Sequence, residues 1–114
     1  MKESLIASVS QWYETALMEF FRNSTTRDPV TMQFRKEKFH EELVMVQKQE
    51  ISQFTRQLPG YNPQTVRFFI LQNTNFTPDN FSVLWYDNEP YRLEPNINED
   101  TLGVYWDVTC NPLV

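Results

Sequence analysis

Residues 4–22 read SLIASVSQWYETALMEFFR, and the period of this stretch decides the class of the fold. Leu5, Ile6, Val9, Trp12, Tyr13, Ala16, Leu17 and Phe20 recur at steps of three and four. At 100° per residue they fill an arc of about 140°, the pattern of a helix with one buried face. The spacing therefore predicts a helix over 4–22. Asn23-Ser24-Thr25-Thr26 ends it, because these side chains compete for backbone hydrogen bonds.

Asp28-Pro29 has the form of an N-cap and first-turn pair, and Pro59-Gly60 that of a stop. Between them Phe39, Leu43, Val44, Val46, Ile51, Phe54 and Leu58 share one helical face, which predicts a second helix over 36–57. The segment 29–35 fits either helix or strand, since Val30, Met32 and Phe34 alternate. After Pro59 the texture changes: six of the seven prolines lie from there on, and apolar residues begin to alternate. Antiparallel strands are expected near 65–72, 81–86, 91–94 and 102–109, with a hairpin around Asp87-Asn88-Glu89-Pro90. Connections this short exclude parallel crossovers. The expected architecture is α+β: two N-terminal helices packed on one face of a three- to four-stranded antiparallel meander, a two-layer sandwich.

The 114 residues suit a single domain over 1–114, and 40% hydrophobic content supplies an ordinary core. Gly60 and Gly103 are the only glycines, which rules out a glycine-rich phosphate loop. One cysteine, Cys110, rules out an internal disulfide, and with one histidine, His40, it leaves no ordinary zinc ligand set. No metal, cofactor or catalytic group is expected. Phe39-His40-Glu41-Glu42-Leu43-Val44 has a zinc-protease look but lacks the second histidine. The start carries no signal-peptide stretch and nothing approaches a membrane span, so a cytoplasmic location is expected.

Charge is uneven. Residues 1–75 carry a net +1 and residues 76–114 a net −6, the latter with one Arg against seven acids. Such a balance argues against nucleic acid and anionic membranes as partners. Asp87, Glu89, Glu94, Glu99 and Asp100 fall in or beside turns, with Tyr86, Tyr91 and Tyr105 among them. Tyrosine beside carboxylates suits an interface, because it adds contact area with few rotors. These eight residues are the candidate partner-binding surface. The expectation is a small acidic protein-binding module, most concretely an inhibitor or immunity protein that masks a basic toxin or nuclease.

Two other readings compete. Glu50 and His40 project into the apolar arc of the expected second helix, which would let them line a ligand or enzymatic pocket between the helix pair and a curved sheet. Phe34 and Met45, on that helix's outer side, would form a homodimer seam. Within the strands Trp106 is expected to point inward with Leu102, Val104 and Val108, leaving Tyr105 and Asp107 on the other face.

Overall fold

A computed structural model describes residues 2–27, 30, 34–49 and 64–113. Its chain order is α1 (Lys2–Val9), a single 3-10 turn (Ser10–Trp12), then β1 (Glu14–Arg27), β2 (Phe34–Gln49), β3 (Val66–Leu71), β4 (Val83–Tyr86), β5 (Glu89–Leu93), β6 (Asn98–Glu99) and β7 (Tyr105–Pro112). All pairings are antiparallel, and they run β1-β2-β3-β7-β5-β4 and back to β1. The six strands close into a barrel. β6 lies outside the ring and follows β5 along the same edge of β7.

This corrects the expected α+β sandwich. The helix predicted over 4–22 stops at Val9, and Tyr13 turns the chain extended at φ −109° and ψ 151°. From Glu14 on, side chains alternate: Ala16, Met18 and Phe20 are buried while Thr15 is exposed and Leu17 and Glu19 are half-buried. Leu17, on the outer wall, completes an apparent 3.6-residue period that the fold does not use. The stretch 36–49, predicted as helix, is strand, with Val44 and Val46 inside and Leu43, Met45 and Gln47 outside. Here polar His40 and Glu42 take inward positions and apolar Leu43 an outward one, which erases the period-2 signal. The first segment carries Glu14, Ala16, Leu17, Met18 and Glu19, and the second is rich in Glu, Lys and Gln, so helix propensity opposes the observed strands, and barrel closure overrides it.

The four strands expected near 65–72, 81–86, 91–94 and 102–109 are present and antiparallel. Trp106, Val108 and Cys110 point inward and Tyr105 and Asp107 outward, whereas Leu102, expected inward, is exposed in a turn and Val104 packs outside the ring with Ile6 and Leu71. Glu50 and Pro59-Gly60 lie outside the described residues. Six strands enclose less space than the roughly eight at which a barrel begins to hold a ligand. Met18, Phe68, Ile70, Leu84, Val44 and Val108 fill the interior, each contributing about 1.5–3 kcal/mol by leaving water. Among the described residues, only the Trp106 indole N–H is a buried side-chain polar atom without a hydrogen-bond partner.

A second apolar cluster sits outside the ring. Ile6 of α1 packs against Leu71 and Val104, with Val9, Tyr13, Met45 and Tyr105 around them. One short helix thus covers part of the outer wall, where two were expected to cover a sheet. Among the described residues, no helix is long and apolar enough to cross a membrane.

Candidate functional site

The β4–β5 hairpin closes one end of the barrel. Its two-residue turn, Asp87-Asn88, has φ of 53° and 64°, the left-handed pair that matches the twist of two antiparallel strands. The turn places Tyr86 on the inner face, with its ring 5.0 Å from Phe68, and Tyr91 on the same face at 5.8 Å. Both hydroxyls end at carboxylates. Tyr86 Oη donates to Glu14 Oε2 at 2.6 Å and Tyr91 Oη to Glu89 Oε2 at 3.3 Å. The Glu14 hydrogen bond, then burial and the nearby charges of Glu14 and Asp87, push the Tyr86 phenol up to about 12. Burial first, and then Glu89, raises Tyr91. Three acids and two phenols therefore converge at this end.

The remaining candidates are placed elsewhere. Glu94 is half-buried, and its carboxylate accepts from the Asn111 side-chain amide, whose oxygen takes the Thr65 hydroxyl at 2.6 Å. Glu99, Asp100 and Tyr105 sit where β6 meets the start of β7, joined by Asp100 N–H donating to the Tyr105 carbonyl at 2.9 Å. Tyr105 opposes Leu71, whereas Pro112 opposes Tyr91. Seven residues of strand separate the two levels, about 24 Å. The eight residues expected on one end of a sheet thus divide into a hairpin group and a β6–β7 group.

The β6–β7 group borders a groove of about 460 Å³ between α1 and the barrel wall. Leu5 and Val9 of α1 form one side, continued by Trp12 and Tyr13. Gln47, Phe69 and Tyr105 come from the barrel, and Asp100, Leu102 and Val104 from the β6–β7 connection. Phe69 and Tyr105 stack with ring centres 4.2 Å apart. Burial raises the Tyr13 phenol, and the Tyr105 ring and the Asp100 carboxylate add to the effect.

The opposite end is plugged. A register shift between Phe20 and Phe21 leaves Phe39 without a partner on β1, so Phe39 and His40 both meet Phe76 of the β3–β4 loop, at 5.1 and 4.7 Å. Glu42 accepts from Asn75 N at 2.9 Å and from its side-chain amide at 3.3 Å, and His40 Nε2 lies 3.3 Å from it. Among the described residues no helix pair covers the sheet to form the expected pocket, and His40 belongs to the plug. Met45, expected on a helical dimer seam, lies on β2 and packs toward α1. Among the described residues no cluster of three or more His, Cys, Asp or Glu could hold a metal ion. Cys110 is buried inside the barrel, where burial and then Glu94 raise its thiol.

Sequence reasoning missed Glu14, Trp12 and Phe69 as surface participants because each fell on a face assigned to a core or to a helix. Comparison with protein-family models, with curated proteins and with solved structures finds no match.

Proposed function

We propose that the chain is a cytoplasmic protein-binding module that receives a basic partner on the β4–β5 hairpin end of its barrel. The observation that carries this reading is the convergence of Glu14, Asp87 and Glu89 around Tyr86 and Tyr91. Carboxylates at a rim attract a cationic surface and speed encounter, while aromatic rings set the rate of leaving. The rigid two-residue turn presents the charges without an ordering cost at binding. In its specific form the module is an inhibitor or immunity protein that masks a basic toxin or nuclease.

The test is to isolate the partner by cross-linking in the native cell, then measure its association with wild type and with Asp87→Lys/Glu89→Lys. Association of the double variant should be at least about tenfold slower at ~0.02 M salt and nearly equal at ~0.5 M, where screening removes rim electrostatics. Equal association rates at low salt would remove this surface.

A further inference from the structure

We propose that the groove between α1 and the barrel wall is a binding site for a small organic cation of the quaternary ammonium class. Three features of the groove select that chemistry. Its volume, about 460 Å³, lies in the range of small-ligand sites. Four aromatic rings line it, Trp12, Tyr13, Phe69 and Tyr105, and ring faces attract a cation that has shed its water. Among the described lining residues Asp100 is the one carboxylate, and none is Lys or Arg.

The degree of substitution follows from hydrogen-bond supply. A primary ammonium carries three donors and is strongly hydrated, so it must give up bound water to meet a ring face. Here one Asp100 oxygen is already engaged by the Val104 N–H at 3.3 Å, and most of the lining is aliphatic or aromatic. A quaternary ammonium has no donors to satisfy, so its charge meets Asp100 and the ring faces while its alkyl groups meet Leu5, Val9 and Leu102. The same wall already holds a cation in this way. The Arg67 guanidinium lies 5.3 Å from the Phe69 ring centre and pairs with Asp107 at 2.5 Å.

The site is separate from the acidic hairpin end, so its test does not depend on the partner. The protein is titrated with choline, with its neutral carbon isostere 3,3-dimethylbutan-1-ol and with ethanolamine, followed by the Trp12 indole and the backbone amides of residues 69 and 105. Choline should bind saturably and about tenfold more tightly than either of the others. Asp100→Asn, which keeps an oxygen for the Val104 N–H, should reduce choline to the level of the isostere, and Trp12→Leu should weaken choline several-fold. Equal binding of the isostere would reduce the groove to an apolar cleft, and equal binding of ethanolamine would leave only a simple ion pair. Either result, or the lack of a saturable response to choline, overturns the proposal, and none of them requires a variant to fold.

Discussion

Glu19 and Tyr86 show how single side chains make the stability of this barrel depend on pH in opposite directions. Burial works to raise the Glu19 carboxyl, but the Trp85 indole N–H at 2.6 Å and the Lys38 ammonium at 3.0 Å outweigh it and hold the group below the usual carboxylate range. A depressed folded value means stability present above the ordinary carboxylate pKa and lost as pH falls through the folded one. Glu19→Gln should therefore cost about 0.5–1 kcal/mol at neutral pH. In urea unfolding the gap from wild type should narrow as pH falls below about 4. Tyr86 behaves in the reverse sense. Its phenol is raised from 10.0 to about 12, so its contribution is complete below pH 10 and disappears as pH rises through 12. Tyr86→Phe should reduce the loss of stability across that alkaline window without abolishing it, because burial also raises Tyr13, Tyr91 and Cys110. An unchanged alkaline slope would mean that the Glu14 hydrogen bond does not persist in solution.

At the scale of elements the β4–β5 hairpin is the clearest case of agreement between local chemistry and fold. Asn88 occupies φ 64°, where glycine is free of steric cost. Asn88→Gly should raise stability by about 0.5 kcal/mol and Asn88→Val should lower it by more than 1 kcal/mol, both readable by denaturant unfolding. This hairpin and the later strands were legible in the sequence because Trp106, Val108 and Cys110 alternate cleanly with Tyr105, Asp107 and Thr109. The first half was not, for an equally physical reason. Phe20 and Ala16 face the interior while Leu17 and Leu43 lie on the outer wall, so both faces of β1 and β2 carry apolar residues, which hides the two-residue period and leaves a misleading helical one. The candidate site was legible only as composition. Acids and tyrosines were recognisable, but their division between two levels of β7 follows from pairing partners fixed by residues far away in the chain.

For the molecule as a whole, the unequal strand lengths divide a closed ring from an arm. β1, with 14 residues, spans about 48 Å, comparable with the longest dimension of 49 Å. β4 pairs with β1 only at Leu17–Glu19, and β3 pairs with β2 only at Val46–Gln49. Beyond those residues β1 and β2 have only each other among the described strands, and a two-stranded ribbon is marginal by itself. The exposed pairs along it, Arg22–Glu37 at 3.3 Å and Lys38–Glu41 at 3.1 Å, add little. Its brace is the plug, where Phe76 lies 5.9 Å from Phe20 and 5.1 Å from Phe39. Local opening follows the density of such buried contacts. Amide exchange should thus be slowest in β3, β7 and residues 44–49, and fastest at residues 21–23 and 36–38. Phe76→Ala should accelerate exchange at the base of the arm by at least about tenfold while leaving the β3–β7 amides nearly unchanged. The plug is only half covered by solvent-excluding neighbours, so its removal costs the arm its support without opening a cavity in the ring. If β3 and β7 instead lost protection in step with the arm, the barrel and its ribbon would be one cooperative unit, and the acidic hairpin end would sense any partner that grips the arm.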